Sequence, residues 1–304
     1  MERAEVIALF GPTGVGKTAV ALALAQALRT HGEDPVAVSA DALQVYAGLE
    51  TLTGAADARE RAQLEHRLLA FLPIDAQFSV GQYAELAHSE IDGLLAAGRR
   101  PLVVGGTGLY LRAALAELSL KPPPPEGVRE RWLAELAARG PQALHAQLAL
   151  RAPQAAERIV ATDSHRIVRA LELDDAGELE RGPEQSDLWT AATRRPTLLV
   201  GVTMDRERLY ARIDARVDQM LAAGAEGEVR RAHARGASVT ARKAVGFEEL
   251  LAGDVDAMKR RTRNYARRQL TWMRKLPNVF EIDLTDRPPR DAAKEITARW
   301  LSGG

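Results

Sequence analysis

Residues 11–18 read Gly11-Pro12-Thr13-Gly14-Val15-Gly16-Lys17-Thr18, and this stretch decides the fold. It matches the pattern G-x-x-x-x-G-K-[ST], in which glycines let backbone N–H groups turn toward phosphate oxygens. Lys17 adds a cation, and the hydroxyl of Thr18 is a ligand for a phosphate-bound Mg²⁺. A plain Gly-rich turn between a strand and a helix would leave Lys17 and Thr18 unexplained. We therefore predict a phosphate-binding loop with Thr18 as its metal ligand.

The sequence on both sides of this loop predicts an α/β core. Residues 6–10 are typical of a buried strand and residues 19–29 of a helix, which is the order that a phosphate loop requires. Further along, two more strands and one long helix are indicated at 36–39, 101–104 and 80–98, and residues 63–72 are expected to form a helix or a helix end. Alternating strands and helices predict a P-loop NTPase-like parallel sheet covered on both faces.

A proline run marks the boundary of a second, all-helical region. Lys121 is followed by four prolines, a stiff break. The pattern beyond it is helical at 129–139, 142–149, 155–159 and 164–173, with a polar loop at 178–187. Residues 196–202 are again typical of a strand, and helices follow at 207–223, 225–235 and 256–276. We therefore predict a catalytic core of residues 1–120 and 196–304 with a helical insertion at 121–195.

Composition limits the class of protein. The chain has 304 residues, 46% of them hydrophobic, and no cysteine, which excludes disulfides and thiolate metal sites. The net charge is zero, but residues 1–120 hold 9 basic and 14 acidic side chains, or −5, while residues 201–304 hold 21 and 15, or +6. A polyanionic partner is therefore expected to meet the C-terminal third. The charged N-terminus and the lack of a long apolar run predict a cytoplasmic protein, and a monomer is the default.

Asp41 follows the second predicted strand, in Ser39-Ala40-Asp41-Ala42-Leu43-Gln44-Val45-Tyr46. The carboxyl ends of parallel strands meet at one edge of the sheet, so Asp41 is expected beside the phosphate loop. A carboxylate there binds Mg²⁺ or accepts a proton, and the alternative is a helix N-cap. The residue pattern leaves these choices open.

A second strand-end loop reads Gly105-Gly106-Thr107-Gly108-Leu109-Tyr110. Its glycines are expected to permit close approach of a ligand, and Thr107 offers a hydroxyl, although an ordinary turn has the same composition. An ATP-using enzyme usually carries a metal-binding Asp at such a strand end. The absence of such an Asp at this strand end argues against an enzyme with simple ATP chemistry.

Arginines recur on two helices of the C-terminal third. Arg212 and Arg216 lie one turn apart and suit a diphosphate, unless they pair with Asp214 and Asp218 on a solvated face. Residues 259–275 hold eight basic and no acidic side chains. Their spacing places four arginines on one side of the helix, which we expect to contact RNA or phosphate: Arg260, Arg263, Arg267 and Arg274. The aromatic residues Tyr265 and Trp272 are expected in the core.

In order along the chain, these segments resemble the tRNA isopentenyltransferase family. The resemblance covers about residues 5–285 and is carried by the phosphate loop, the Asp41 segment and the Gly-Gly-Thr-Gly-Leu-Tyr loop. It continues in Thr162-Asp163-Ser164-His165-Arg166-Ile167-Val168-Arg169, in Lys243-Ala244-Val245-Gly246-Phe247-Glu248, and in Arg268-Gln269-Leu270-Thr271-Trp272. After Tyr46 the chain departs from the family pattern, because Glu50-Thr51-Leu52-Thr53-Gly54-Ala55-Ala56 lacks the family's lysine.

The resemblance implies transfer of a dimethylallyl group from dimethylallyl diphosphate to N6 of the adenine 3′ of the tRNA anticodon, in tRNAs that read codons starting with U. It implies Asp41 as the catalytic base, with Thr13 and Thr107 orienting the base or the substrates. The diphosphate would bind residues 11–18 and Arg212, with Mg²⁺ on Thr18. The tRNA would contact Asp41, Ala42, Leu43, Gln44 and Thr107; His165, Arg166, Ile167, Val168 and Arg169; and Lys243, Ala244, Val245, Gly246, Phe247 and Glu248.

Three other functions stay open at this point. A P-loop kinase of a small metabolite would share Lys17 and Thr18 but does not call for a helical insertion. A prenyltransferase acting on free adenine nucleotides would not need that insertion either. An RNA-binding module with a vestigial phosphate loop leaves the intact Lys17, Thr18 and Asp41 unexplained.

Overall fold

The core of the protein is one parallel sheet. The structure, a computed structural model, describes residues 3–121, 123–179 and 187–303. The strands in these residues are β1 (Val6–Phe10), β2 (Pro35–Ala40), β3 (His66–Arg67), β4 (Arg100–Gly105), β5 (Thr197–Thr203) and β6 (Phe280–Asp283). They pair in the order β3-β2-β4-β1-β5-β6, and every neighbouring pair is parallel. The predicted α/β class is confirmed.

Helices occupy most of the remaining described chain. They are α1 (Lys17–Arg29), α2 (Glu50–Thr53), α3 (Ala58–Gln63), α4 (Val80–Ala96), α5 (Gly108–Leu115), α6 (Val128–Arg151), α7 (Pro153–Arg158), α8 (Ser164–Asp175), α9 (Arg206–Ala222), α10 (Ala225–Ala234), α11 (Phe247–Leu251), α12 (Val255–Met273) and α13 (Pro289–Leu301). Short 3₁₀ turns lie at Asp187–Trp189 and Ala241–Lys243. Among the described residues, no helix is both long and apolar enough to cross a membrane.

The register of the central strands gathers three loops at one edge of the sheet. Phe10 at the end of β1 pairs with Gly105 at the end of β4. Ala40 at the end of β2 pairs with the same glycine. The residues that follow these ends, which start the phosphate loop, the Asp41 turn and the Thr107 loop, therefore leave the sheet side by side. This is the edge that parallel α/β sheets use to bind ligands.

The last helix anchors the core of the sheet. The side chains of Ile296 and Trp300 on α13 are fully buried in the same cluster as Leu24 and Leu28 on α1. The indole Nε1 of Trp300 donates a hydrogen bond to the carbonyl oxygen of Ala4 at 2.8 Å. Burying a large apolar side chain contributes about 1.5–3 kcal/mol, so α13 holds the start of β1 in place. The sequence reading missed both β6 and α13.

The chain divides into two compact units. The first comprises Met1–Leu118 and Leu188–Gly304, and the second comprises Ser119–Asp187. The second unit has an apolar core of its own, which includes Trp132, Leu144, Leu148, Ile167 and Leu171.

Residues 188–195 belong to the first unit, whereas the sequence reading placed them in the insertion. The ring of Trp189 lies 4.7 Å from that of Trp272 on α12. The backbone N–H of Arg194 donates to the carbonyl of Leu115 at 2.8 Å. These contacts hold the returning segment on the first unit before β5 begins.

One segment differs locally from the expectation. Of residues 63–72, predicted as a helix or a helix end, only Gln63 is helical and it ends α3, because Leu64 is extended (φ −143°, ψ 124°) and His66–Arg67 form β3. The break predicted between the helices at 129–139 and 142–149 is confirmed, since α6 is interrupted at Gly140 by a non-helical backbone (φ 76°, ψ 167°). Of the loop predicted at 178–187, residues 180–186 lie outside the described residues.

Candidate functional site

The phosphate loop has the backbone that its glycines predict. Gly14 and Gly16 lie in the left-handed region, with φ of 81° and 109°. A Cβ on Gly14 would also lie 2.9 Å from Cγ1 of Ile213, so only glycine fits. Gly16 precedes the first residue of α1, and the free N–H groups of the helix N-terminus therefore face the end of the loop.

Lys17 lies folded over this loop. Its Nζ donates hydrogen bonds to the carbonyl oxygens of Gly11 at 2.9 Å and Pro12 at 3.0 Å. Burial and the nearby charge of Arg216 lower the pKa of Lys17 to about 8, against a smaller opposing effect of Asp41. An anion in the loop would raise this pKa and stabilise the ammonium group.

Asp41 uses its two oxygens differently. Oδ1 accepts hydrogen bonds from the backbone N–H groups of Leu43 at 2.9 Å and Gln44 at 3.4 Å, which orients the carboxylate as a turn cap. Oδ2 is 3.5 Å from the hydroxyl of Thr107. Burial raises the pKa of Asp41, although these hydrogen bonds and Lys17 oppose the shift. A carboxylate whose pKa is raised toward neutrality is suited to accept a proton.

Thr107 connects Asp41 to helix α12. Its hydroxyl lies 3.0 Å from the phenolic oxygen of Tyr265. Tyr265 is mostly buried, and burial raises its pKa further above the ordinary value, so the phenol stays neutral. Tyr265 was expected to be a core aromatic, yet its hydroxyl lies at the site.

Gln269, one turn further along α12, links the two loops directly. Its Oε1 accepts the backbone N–H of Thr13 at 2.8 Å, and its Nε2 donates to the carbonyl of Gly106 at 2.8 Å. The side chain is 4% exposed. The backbone N–H of Thr13 is thus occupied inside the protein, and the Thr13 hydroxyl is the group that this residue can offer to a ligand.

The glycines of the second loop are needed for packing, and Gly105 and Gly106 also line the cavity described below. A Cβ on Gly105 would lie 2.2 Å from the carbonyl oxygen of Ala40. A Cβ on Gly106 would lie 2.3 Å from Nε2 of Gln269, and one on Gly108 would lie 2.2 Å from the ring of Trp272. The loop is close to protein atoms at all three positions.

Arg216 reaches the cavity from α9. Its Nη2 donates to the carbonyl of Gly54 at 3.2 Å, and its buried Nε has no hydrogen-bond partner among the described residues. A Cβ on residue 54 would lie 1.7 Å from Nη2. The guanidinium therefore lies against the C-terminal end of α2 at Gly54.

Arg212, which was the predicted diphosphate ligand, is more exposed than Arg216. Its Nη2 is 3.4 Å from the position of a Cβ on Gly16, beside the end of the phosphate loop. The two acidic neighbours bind other cations: Asp214 pairs with Arg263 at 2.5 Å and Asp218 with Lys259 at 2.6 Å. The alternative of local Arg–Asp pairs on α9 is therefore not what the structure has.

Most of these groups line one cavity of about 600 Å³, although Thr107 and Arg212 lie outside its lining. Its polar lining includes Thr13, Lys17, Thr18, Asp41 and Arg216. Apolar side chains line other parts of the wall, among them Leu43, Leu52, Met220, Val245 and Met258, and the lining also includes Glu50, Asp57 and Glu60. A cavity with cations and N–H groups at one place and apolar walls elsewhere suits an anion that carries a hydrocarbon group.

The residues present fit Mg²⁺ bound together with a phosphate ligand. Thr18 and Asp41 line the same cavity and offer hard oxygen donors. Within the described ranges, no group of three or more His, Cys, Asp or Glu could hold a metal by protein ligands. Mg²⁺ typically binds through one or two protein groups, substrate phosphates and water, and this donor set matches that habit.

In the two segments predicted to contact RNA, residues 165–169 and 243–248, some side chains are buried and others are exposed. Ile167, Val168, Ala244 and Phe247 are buried in apolar clusters, so their side chains serve packing. The exposed members are His165, Arg166, Lys243 and Glu248. Val245 lines the cavity, and Gly246 (φ 100°) has no room for a side chain beside Met258 and Leu52.

Four of the arginines expected to contact RNA lie beside carboxylates. Arg166 is 3.5 Å from Asp163 and Arg260 is 3.9 Å from Asp254, and the side chains of both arginines stay exposed. The other two are less exposed. Arg169 donates to the buried Glu172 at 3.1 Å and to the carbonyl of Lys121. Arg263 pairs with Asp214, as described above. Arg267 and Arg274 on α12 are exposed, so they stay available for a polyanion.

The sequence does not identify Gln269 and Tyr265 as site residues. It indicates that Arg212 and Arg216 suit a diphosphate, but only Arg212 is a predicted diphosphate ligand. Gln269 had a signal, since it lies in the Gln-Leu-Thr-Trp stretch that carried the resemblance. A sequence motif does not indicate which atoms its side chains contact when the partner, here Thr13, is 256 residues away along the chain.

Comparison with known proteins gives two matching family models. Residues 44–276 match the model described as IPP transferase, and residues 4–82 match the one described as isopentenyl transferase. Among curated relatives, the tRNA dimethylallyltransferase of Kineococcus radiotolerans is 41% identical over 96% of this chain and 95% of its own. That of Thermobifida fusca is also 41% identical, over 93% and 92%.

Solved structures show the same likeness. The tRNA isopentenylpyrophosphate transferase of Bacillus halodurans has a TM-score of 0.69 and 31% identity, and the match covers 98% of this chain and 97% of that one. A eukaryotic dimethylallyltransferase acting on tRNA has a TM-score of 0.76 over 98% of this chain and 79% of its own. At 23% identity, the latter likeness concerns the fold.

Proposed function

The chain belongs to the IPP transferase family, and from that premise we propose that it prenylates tRNA. In the reaction, the dimethylallyl group of dimethylallyl diphosphate moves to N6 of the adenine 3′ of the anticodon, in tRNAs that read codons starting with U. The C–O bond of the donor breaks, an N–C bond forms, diphosphate leaves, and the proton of the amine must be taken up. The observation that carries the proposal is Asp41 beside the phosphate loop in one cavity.

The cationic part of the cavity would hold the diphosphate. Lys17, Arg216, Arg212 and the N–H groups at the start of α1 supply positive charge where negative charge develops as the allylic C–O bond breaks. Such preorganised groups stabilise a leaving anion at no cost of reorganisation. The apolar wall would shield the allylic group from water.

Asp41 would act as the base. The lone pair of adenine N6 is delocalised into the ring, so the amine attacks effectively only if its proton is removed as the bond forms. General base catalysis of this kind contributes ~10²–10⁴-fold. Thr107, whose hydroxyl is 3.5 Å from Oδ2 of Asp41, would orient the carboxylate, and the hydroxyl of Thr13 would orient a substrate.

Mg²⁺ would bind the hydroxyl of Thr18 together with the diphosphate, and when bound it supplies charge neutralisation to the leaving group. The role of the protein there is to present one hard oxygen ligand beside the loop. Asp41 lies in the same cavity but is assigned to the proton.

The tRNA would contact the exposed members of the predicted segments, including His165, Arg166 and Lys243. The target adenine must leave the anticodon stack, which costs a few kcal/mol. The helical unit would bind the anticodon stem and loop. The cytoplasmic location and the monomeric state remain predictions from the sequence.

A small-metabolite kinase is the weaker alternative. β4 ends in Gly105-Gly106, where such an enzyme would carry a metal-binding Asp. Membership of the IPP transferase family also disfavours the kinase.

A direct assay tests the proposed function. The purified protein with Mg²⁺, dimethylallyl diphosphate and a tRNA that reads a U-starting codon should yield a prenylated adenosine, detected by mass spectrometry of the tRNA nucleosides. A reaction without donor and one with a tRNA lacking adenine at that position serve as controls. Hydrolysis of ATP or phosphate transfer from it, without prenylation, would support the kinase instead.

The base assignment has its own test. Asp41→Asn, which keeps the shape of the side chain, should lower kcat by ~10²–10⁴-fold because the proton acceptor is lost. Binding of tRNA, measured by filter retention, should change far less. Equal losses in kcat and in tRNA affinity would remove Asp41 from the role of base.

A further inference from the structure

Helix α12 holds both loops of the cavity through one buried amide. The two hydrogen bonds of Gln269, to the N–H of Thr13 and to the carbonyl of Gly106, are each 2.8 Å long. They join a residue of the phosphate loop to the residue directly before Thr107. The loops are also close to each other, since a Cβ on Gly106 would lie 3.2 Å from the carbonyl oxygen of Gly11.

The neighbouring turns of α12 contact the same loop. Tyr265, four residues before Gln269, lies 3.0 Å from the hydroxyl of Thr107. Trp272, three residues after it, fills the space beside Gly108. Residues at i, i+4 and i+7 share one face of a helix, so α12 presents one continuous face to the loop that carries Thr107.

The distance between the two loops matters because of the chemistry on either side. The phosphate loop would set the position of the leaving group, and Thr107 with Asp41 would set that of the proton acceptor. Bond making and bond breaking need the reacting atoms aligned, and an error of about 1 Å costs about 10²-fold in rate. A single side chain hydrogen-bonded to both loops controls this distance.

We propose that Gln269 is a positioning residue that sets the separation between the phosphate loop and the Asp41–Thr107 pair. The inference rests on the proposed function, since it assigns the leaving group to one loop and the base to the other. Gln269 touches neither substrate in this role. Its effect on catalysis passes through Thr13 and Gly106.

The test compares Gln269→Met with the wild-type protein. Methionine has nearly the shape of glutamine but makes neither hydrogen bond. We expect kcat for tRNA prenylation to fall roughly 10- to 100-fold, while the KM for dimethylallyl diphosphate and the Kd for tRNA change less than about threefold. Thr297→Val is the matched control, because it removes a buried hydroxyl that donates to a helix carbonyl at 2.8 Å in α13 and should leave kcat unchanged.

A double-mutant cycle separates positioning from general stability. In an Asp41→Asn background there is no base to position, so Gln269→Met should lower kcat by much less than in the wild-type background. A loss of equal size in both backgrounds would overturn the proposal, and so would an unchanged kcat in the single variant. Wild-type prenylation is measured first, so that failure of the proposed function is recognised separately from failure of this inference.

A second variant covers the case in which Gln269→Met does not fold. Tyr265→Phe removes one hydroxyl on the same face of α12 and leaves the packing intact. It should lower kcat about 3- to 10-fold with little change in the KM for the donor. Full activity of a folded Tyr265→Phe protein, with Gln269→Met unfolded, would contradict control of the loop by this helix.

Discussion

Lys17 lies in a part of the cavity where its surroundings disfavour the charged form of its side chain. Burial and Arg216 lower its pKa to about 8, from an ordinary value of 10.5. Two of its three N–H donors bind loop carbonyls, so a third N–H remains for a ligand. A buried cation of this kind is poised to bind a diphosphate and is costly without one.

Donor affinity should therefore depend on pH above neutrality. Below pH 8 the ammonium group of Lys17 is charged and attracts the diphosphate. As the pH rises through 8, the free protein loses this proton, and the Kd for a non-transferable donor analogue should increase by up to about tenfold per pH unit. Isothermal titration calorimetry between pH 7 and 9.5 measures the effect.

Lys17→Met is the control for this titration. The variant should bind the analogue weakly and with a Kd that hardly varies over the same range. A wild-type Kd that stays flat from pH 7 to 9.5 would mean that the ammonium of Lys17 does not contribute to donor binding.

Among the elements, the end of β4 and the loop after it are packed more tightly than the sequence suggests. Three glycines there are expected from the sequence to permit close approach of a ligand, and on the side where a Cβ would lie they contact Ala40, Gln269 and Trp272. Glycine is needed because neighbouring strands and α12 approach the backbone, which is a tertiary requirement. The local sequence does not distinguish a Gly-rich loop that is open to a ligand from a Gly-rich loop that is packed against protein atoms.

Substitution of Gly105 should therefore be destabilising. In Gly105→Ala the new Cβ would lie 2.2 Å from the backbone oxygen of Ala40, which cannot move without disturbing the β2–β4 pairing. We expect the free energy of unfolding to fall by about 1–3 kcal/mol, measured by urea denaturation.

Gly93→Ala on α4 provides the opposite case. Nothing lies within 4 Å of a Cβ at that position, and alanine favours a helix interior over glycine by about 0.5–1 kcal/mol. This variant should be more stable than the wild-type protein. A Gly105→Ala protein as stable as the wild type would show that the strands can separate to accept a methyl group.

Within the whole molecule, the helical unit contains a buried carboxylate that is paired with two arginines. Glu172 is fully buried and accepts hydrogen bonds from Arg129 at 2.7 Å and Arg169 at 3.1 Å. Burial opposes ionisation of Glu172, but these two arginines outweigh it and lower the pKa of the carboxyl. Arg169 is thus part of the fold of this unit, and Arg166, whose side chain is 71% exposed, is the better candidate for a phosphate contact.

Arg166→Ala should weaken tRNA binding and leave donor binding unchanged. Loss of one phosphate contact reduces the slope of log K against log salt by about 1, which a titration at several salt concentrations measures. Arg139→Ala is the matched control, since Arg139 pairs with Glu135 at 3.1 Å in the same unit outside the predicted segment. A fall in donor affinity instead would show that the function assigned to this unit is wrong.

Much of the fold could be read from local sequence. The phosphate loop, β1, β2, β4 and the long helices α4 and α9 each have a periodic pattern or a dense motif, and short-range sterics determine such elements. β6 and α13 were missed because Phe280–Asp283 is a short edge strand and because the burial of Trp300 depends on β1, nearly 300 residues away. Resemblance supplied Asp41 as base, for which the residue pattern alone left three roles open.

The sequence by itself determined the chemistry that is present: a phosphate loop, a strand-end carboxylate and basic helices, all of which follow from residue types at fixed spacings along one segment. Tertiary structure decided which of these groups meet. It brought Arg216 to Gly54 at the end of α2 and joined Thr13 to Gly106 through Gln269. The physical reason is that hydrogen bonds and steric contacts act over about 3 Å in space, whatever the separation along the chain. The register of the strands together with the packing of α9 and α12 places these distant residues within that range.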